Sequence, residues 1–537
     1  MQKKNVLFYT AILKFLLPAV FMLFVAFDSG HIVRYGIFCG CELIMLAVIT
    51  NWLAAKKKSL AYVFSAVTVF LYIAQIAVLY YGRTYITTVM LVNLDSVKDL
   101  SGKAFTYLFS LAAAIVISLL PVAPVFQTKK TARLISLLLA FELFFAFFYG
   151  NAYSPFYGYC DLIIKKINSE AMKINPHDLS ESAQFFYKEE LPDSIEKDSS
   201  LPKHPNIIFI FTEGLSQSVI DDERNLMPNM AEFQKKAINF TNYYNHTFAT
   251  YQGLIGQLYS GYQSENYDTN TLISLQGILQ KHGYSTVFLN TEPNNAEFTK
   301  YLNNMDFEEV RGEKGTYTGG ANSISDKDAY NWLFTEAMAM EEEEKPFFLA
   351  TYTFGTHTTL DSPDDVYGDG KDPMLNKFYN VDKYFGEFMQ NYSQSPLAED
   401  TIIVLTSDHC TYNDMFFKHT FPDCYRFCTV VDRIPLNIYY KGVTPQTIDV
   451  NGRNSLDVAP TLLDIIDISD ENFFLGTTLF DKTGNEFDTI SREPGSIFTT
   501  AGANIAPLGE EDEKAFKDKL LKYYAAKQYD INAERKE

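Results

Sequence analysis

Basic residues are the scarce charge in this chain of 537 residues: 45 Lys and Arg stand against 65 Asp and Glu, a formal net charge of −20. That balance argues against nucleic acid binding through a basic face. There is no internal repeat and no low-complexity tract, and a hydrophobic fraction of 47% with 15% aromatics excludes a disordered chain. At roughly 150 residues per domain the length predicts about three domains. The mean hydropathy of −0.07 averages two unlike parts. Residues 1–150 are packed with Leu, Phe, Val, Ile and Ala, whereas residues 151–537 hold nearly all the acids.

A bilayer core of about 30 Å takes about 20 mostly apolar residues per helix. The first 150 residues supply five such runs, near 6–27, 32–54, 60–81, 104–126 and 132–149, so the sequence predicts a five-span anchor with the chain ends on opposite sides. The first run is too long, and too well followed by others, for a cleaved signal peptide. Lys3 and Lys4 precede the first run, Lys56–Lys58 follow the second, and Lys129, Lys130 and Arg133 follow the fourth. Because short cytoplasmic loops retain Lys and Arg, this alternation predicts that everything after the fifth run lies outside the cytoplasm. Glu42 and Glu142 fall inside apolar runs. Each reads either as a lipid-headgroup contact or as a carboxylate near a helix end or bonded to a neighbouring helix, the second being the expectation.

Residues 151–203 read as amphipathic helices and a solvated linker, residues 204–510 as the catalytic domain and residues 511–537 as a charged tail. After Lys203 come short apolar runs: NIIFIF (206–211), STVFLN (285–290), PFFLATYTF (346–354), TIIVLTS (401–407) and IPLNIYY (434–440). Continuous rather than alternating hydrophobicity suits strands buried on both faces, which predicts an α/β domain with a mostly parallel central sheet flanked by helices. In such sheets the active site lies at the carboxyl ends of the strands. Glu213 follows the first of these strands, His357 the third, and Asp408 with His409 the fourth. Carboxylates and imidazoles delivered to one sheet edge by separate strands point to a metal site.

The order PNIIFIFTEG, MPNMAEF, NHTFATYQGLIGQLYSGY, TFGTH, TSDH, RIPLNIYYKG, LDVAPTLLDI and FLGTTLF resembles the sulfatase-like branch of the alkaline phosphatase superfamily. With the apolar anchor, it is similar within that branch to the membrane-anchored lipoteichoic acid synthases and phosphoethanolamine transferases. The resemblance implies that Glu213, Thr250, Asp408 and His409 hold a divalent metal, zinc or manganese, that Thr250 is the nucleophile, and that His357 and His419 contact the substrate phosphate; the imidazole favours zinc of the two. Carboxylates and an imidazole suit such metals, and a metal lowers the pKa of a ligated hydroxyl. Thr247, three residues before Thr250, is the rival nucleophile, but the helix read after Thr250 favours the latter.

Three departures bear on the substrate. No cysteine pair brackets Thr250, segment 288–304 has Asn290 and no Trp or Arg, and Thr250-Tyr251-Gln252-Gly253 stands where a sulfatase carries C/S-x-P-x-R. The first two leave both headgroup signatures incomplete, and the third argues against a formylglycine sulfatase. Cys39 and Cys41 read as small apolar residues of a span. Of the external cysteines, Cys410 is expected in a disulfide with Cys424 or Cys428 in preference to a zinc-ligand role. His204 reads as the linker end, His246 as a turn residue and His282 as a helix C-terminus before Gly283. The expectation is an inner-membrane transferase with an external catalytic domain. It moves a phospho-alcohol headgroup, phosphoethanolamine before phosphoglycerol, from phosphatidylethanolamine or phosphatidylglycerol to a glycan or lipid acceptor. The rivals are a sulfatase-like hydrolase or phosphodiesterase and a non-catalytic lipid-binding member.

Overall fold

A computed structural model describes residues 2–28, 31–82, 84–87, 90–91, 104–125, 131–150, 152–171, 179–263, 272–313, 315, 323–357, 360–424, 426, 428–493 and 496–527. The chain divides into two units, one of residues 1–95 with 103–170 and one of 96–102 with 171–537.

The first unit consists of helices α1 (Gln2–Asp28), α2 (Ile32–Lys56), α3 (Lys58–Gly82), α4 (Ala104–Ser118), α5 (Thr131–Tyr149) and α6 (Pro155–Ala171). Among the described residues four helices are long and apolar enough to cross a membrane: Val6–Phe27 within α1, α2, α3 and α5. The fifth span expected over 104–126 is not one of them. Helix α4 stops after 15 residues, about 22 Å at 1.5 Å per residue, because Pro121 and Pro124 cannot continue an α-helical ladder. Polar groups freed there are met from neighbouring helices. Lys14 Nζ donates to the Leu120 carbonyl at 3.0 Å, Tyr62 to that of Leu119 at 3.2 Å, and Asn51 Oδ1 accepts from the Val125 N–H at 2.6 Å. Unmet backbone groups are costly in an apolar setting, so these contacts let the helix end there.

Glu42 is fully buried in α2 and takes the second of the two roles weighed for it. Tyr72 of α3 donates to its Oε2 at 2.8 Å, while the Ser154 hydroxyl and the Phe156 N–H, the latter at 3.2 Å, donate to Oε1. The carboxylate thus caps the first turn of α6, where the helix dipole favours negative charge.

In the second unit an eight-stranded sheet has the order β4-β3-β5-β1-β6-β7-β2-β8. The strands are β1 (Asn206–Thr212), β2 (Ile238–Thr241), β3 (Ser285–Asn290), β4 (Glu309–Gly312), β5 (Phe347–Thr353), β6 (Thr401–Ser407), β7 (Leu436–Tyr439) and β8 (Gln446–Asp449). Only β7 runs against its neighbours, pairing antiparallel with both β6 and β2. Every residue of β1, β5 and β6 is buried, as their unbroken apolar runs require. Alternate residues of β1 enter different cores: Ile207, Phe209 and Phe211 on one face, Ile208 and Ile210 on the other. A small antiparallel sheet, Ile490–Glu493, Ser496–Thr499 and Ala506–Pro507, lies outside the main one. Helix Glu510–Ala526 is polar along its outer side, yet Phe516, Leu520, Tyr523 and Tyr524 join Phe186 in a satellite core.

Candidate active site

The central strands β5, β1 and β6 lie side by side, so their carboxyl ends bring the strand-end residues together. Thr212 pairs in register with Ser407, which makes Glu213 and Asp408 neighbours across the strand ends. Glu213, Asp408 and His409 are all buried, and one ligand atom from each lies within 4.8 Å of the others. His409 Nε2 is 3.4 Å from Glu213 Oε1 and 3.5 Å from Asp408 Oδ2.

Each of the three is held through its other atoms. Asp408 Oδ1 accepts from the N–H groups of Gly214 at 2.8 Å and His409 at 2.7 Å. Its Oδ2 is buried and accepts no hydrogen bond among the described residues. His409 Nδ1 lies 2.7 Å from the Cys410 carbonyl, an acceptor only, so Nδ1 carries a proton and Nε2 is the ring nitrogen turned to the carboxylates. Phe248 packs on the imidazole at 4.6 Å. Tyr352 of β5 donates to Glu213 Oε2 at 2.6 Å.

Thr250 is the first residue of helix Thr250–Leu258, and its hydroxyl donates to Glu213 Oε2 at 3.0 Å. The preceding residue, Ala249, sits at φ 77° and ψ 145°. That conformation is disfavoured for a side chain by about 1–3 kcal/mol and persists only where packing imposes it. The packing is visible: a Cβ on Gly253 would lie 2.3 Å from the Asp408 carbonyl oxygen, and Gln257 Nε2 donates to the Ser407 carbonyl at 2.9 Å. The helix therefore rests directly on the end of β6, with its N-terminus at the ligand group. Thr247 is placed differently, its hydroxyl donating to Gln252 Oε1 at 3.3 Å.

His357 follows β5 and its ring stacks on Phe354 at 4.9 Å. A proton on its ring would lower the Glu213 carboxyl. His419 is exposed on the last turn of helix Met415–Thr420, and among the described residues it makes no hydrogen bond or ion pair to the three ligands. All six cysteines are free thiols, so the expected disulfide is not formed. The Cys410 sulfur lies 3.4 Å from Arg426 Nη2, the Cys424 thiol points to the Ser218 carbonyl at 3.7 Å, and Cys428 is buried beside Tyr244, Val430 and Val431. His246 is a buried turn residue with Nδ1 2.6 Å from Ser455 Oγ, and His282 caps helix Leu275–Lys281 before Gly283 at φ 90°.

Tyr352, Thr356, Phe248 and Gly253 were not legible as site residues. Tyr352 lies inside an apolar strand run and Gly253 inside a helix, and neither position carries a spacing signal.

Burial opposes charge on every member; attraction outweighs it at Glu213 and His409 but not at Asp408. Glu213 is held below the usual carboxylate range despite burial, by the His409 imidazolium. Asp408 is pushed up to about 7 by burial and by the Glu213 charge. His409 is raised to about 9 because the two carboxylates outweigh its burial. Two carboxylates, an imidazole and an adjacent hydroxyl fit a divalent metal, and Asp408 Oδ2, buried and without a hydrogen bond among the described residues, is an oxygen available to hold one. Below pH 9 a metal must displace the His409 proton, and below pH 7 increasingly the Asp408 proton too. Apparent affinity is therefore expected to rise by about tenfold per pH unit between pH 7 and 9 and to flatten above. Calorimetry at pH 7.5 in buffers of different ionisation enthalpy should record about one proton released per metal bound. Affinity independent of pH from 6 to 9 would refute this set of ligands.

Residues 205–468 match the sulfatase family model. Phosphoglycerol transferase I of Salmonella agona is 24% identical over 315 residues, covering 49% of this chain, and the chain spans only 38% of that relative's length. A Vibrio parahaemolyticus protein of the alkaline phosphatase superfamily superposes with a TM-score of 0.54 at 18% identity, covering 67% of this chain and 97% of that one. The integral membrane lipooligosaccharide phosphoethanolamine transferase A of Neisseria meningitidis superposes with a TM-score of 0.55 at 13% identity, covering 90% of this chain and 97% of that one. Residues 205–468 thus form a sulfatase-like domain with the fold of the alkaline phosphatase superfamily, and four of the N-terminal apolar helices are long enough to cross a membrane.

Proposed function

We propose that this protein is a metal-dependent phosphotransferase that moves a phospho-alcohol headgroup from a phospholipid to an external glycan or lipid acceptor through a phosphothreonine on Thr250. The observation that carries this reading is the Thr250 hydroxyl, 3.0 Å from Glu213 Oε2, at a helix N-terminus beside a buried three-ligand group. A bound divalent metal, zinc in preference to manganese, supplies Lewis acidity that lowers the pKa of the Thr250 hydroxyl and offsets phosphate charge. Glu213 holds that hydroxyl in place, and the N–H groups of the first helical turn face the incoming phosphate. In the first step Thr250 Oγ bonds to phosphorus and the bond to diacylglycerol breaks. In the second an acceptor hydroxyl bonds to phosphorus and Thr250 Oγ leaves, recovering its proton. His357, and His419 from its exposed helix, bind the substrate phosphate and exchange protons in both steps.

Phosphoethanolamine is the first choice of headgroup, because the likeness to the Neisseria transferase extends over 90% of this chain, apolar helices included. Phosphoglycerol is the second, favoured by the sequence match to the Salmonella phosphoglycerol transferase. Full-length protein in vesicles of fluorescent-acyl phosphatidylethanolamine should release fluorescent diacylglycerol. Release only from the phosphatidylglycerol counterpart would reverse the order, and release from neither would refute the transferase reading.

The catalytic unit is placed outside the cytoplasm. Lys129, Lys130 and Arg133 flank the amino end of α5, whose carboxyl end leads to that unit. A reporter active only in the cytoplasm, fused after residue 537, should be silent. A strong signal would invert this topology.

A further inference from the structure

The Gly355-Thr356-His357 turn rests on a buried carboxylate from a different element. Asp326 is the first residue of helix Asp326–Glu341 and is only 1% exposed. Its own helix does not use it as a cap, because Ser325 accepts the Asp328 N–H at 3.2 Å. Instead Asp326 Oδ1 accepts the Gly355 N–H at 3.0 Å. Oδ2 lies where a side chain at 355 would go: a Cβ on Gly355 would be 2.1 Å from it. Oδ2 accepts no hydrogen bond among the described residues.

Two further contacts hold the same turn. The Thr356 hydroxyl donates to the Glu213 carbonyl, and Lys377 Nζ donates to the His357 carbonyl at 3.0 Å. Thr356 thus ties the turn to the metal-ligand residue itself, and Asp326 fixes the residue before it. Burial pushes the Asp326 carboxyl up to about 7, against the opposing pull of the Gly355 N–H and Asn380. An ionisable group so placed is a burden on stability that an apolar residue would not impose. Its Oδ1 is turned to the backbone N–H of the turn that carries His357, with Asn380 as the other polar group beside the carboxyl.

We propose that Asp326 is a positioning residue that fixes the Gly355-Thr356-His357 turn, so that the His357 imidazole faces the substrate phosphate, and that it acts on transfer through His357. The role in transfer rests on the reading of His357 as a phosphate contact. The anchoring of the turn does not.

The two parts are tested by separate readouts on the full-length protein in vesicles. Hydrogen exchange of the 354–357 amides should accelerate in Asp326→Ala and stay slow in Asp326→Asn, whose amide oxygen still accepts from Gly355. In the diacylglycerol-release assay Asp326→Ala should lose about 10- to 100-fold in kcat, the effect of a small misplacement of a reacting group. KM should stay within about threefold, since the lost interaction strengthens in the transition state. Asp326→Asn should recover most of that loss at unchanged metal content. In a His357→Ala background, Asp326→Ala should add less than about a twofold further loss. Unchanged exchange in Asp326→Ala would overturn the anchoring, and an undiminished loss in the His357→Ala background would overturn action through His357. Full activity of His357→Ala, with exchange accelerated in Asp326→Ala, would instead refute the reading of His357 itself.

Discussion

Thr250→Ala is expected to abolish diacylglycerol release, by on the order of 10⁴-fold or more, the scale of removing a covalent nucleophile, while Thr247→Ala keeps activity within about threefold of the parent, as befits a residue off the reaction path. The two residues stand three positions apart and have the same chemistry, so only geometry separates them. Thr250 reaches Glu213 at 3.0 Å from the start of a helix, whereas Thr247 spends its hydroxyl on Gln252 at 3.3 Å. A Thr hydroxyl is a poor nucleophile unless a base or metal activates it, and only Thr250 stands where the ligand group lies. Removing the hydroxyl deletes one hydrogen bond in a half-buried setting, which costs about 1 kcal/mol of stability and leaves the fold intact. Protein quenched during turnover and digested should carry the headgroup phosphate on the peptide containing Thr250. Modification at Thr247, or an active Thr250→Ala protein, would sink the assignment.

The second large effect is at the ligands. Asp408→Ala and His409→Ala should each eliminate both activity and stoichiometric metal, because a site with so few protein donors does not tolerate the loss of one. Their effects on the metal-free fold should differ. His409 is the cation between two buried carboxylates, 3.4 and 3.5 Å away, so His409→Ala leaves Glu213 and Asp408 facing each other uncompensated. Asp408→Ala leaves the Glu213–His409 pair in place. Metal-free His409→Ala should therefore melt below metal-free Asp408→Ala at neutral pH, and the gap should narrow as pH falls, because Asp408, pushed up by burial and the Glu213 charge and no longer lowered by His409, takes up a proton. Elemental analysis of the purified parent reads zinc against manganese directly. Full turnover after exhaustive chelation would exclude the site as catalytic.

The sequence by itself determined the elements whose residues declare their surroundings locally. Unbroken apolar runs marked β1, β3, β5 and β6 to within a residue or two of their observed bounds, because a strand covered on both faces has no polar side to show. Since parallel strands end at a common edge, the residues after three of them, Glu213, His357, Asp408 and His409, were legible as a group before any geometry was known. The short strands β2, β4 and β8 were not. Four residues with a half-exposed or exposed face carry too little pattern to stand out from loops.

Tertiary structure decided what depends on partners distant in the chain. The early end of α4 follows from prolines whose freed backbone groups find Lys14, Tyr62 and Asn51, contacts that spacing does not reveal. The fate of the cysteines turned on where Arg426 and the Ser218 carbonyl lie. The helix after Thr250 was legible, but its seat against β6, at the missing side chain of Gly253, was not. Asp326, remote from the motif it supports, acquires its role only because folding brings its carboxylate to the N–H of Gly355. Hydrophobic periodicity is a property of neighbouring residues and survives in a string of letters. The direction of a hydroxyl, the acceptor of one N–H and the room for one Cβ are set by packing between elements, and exist only in the folded chain.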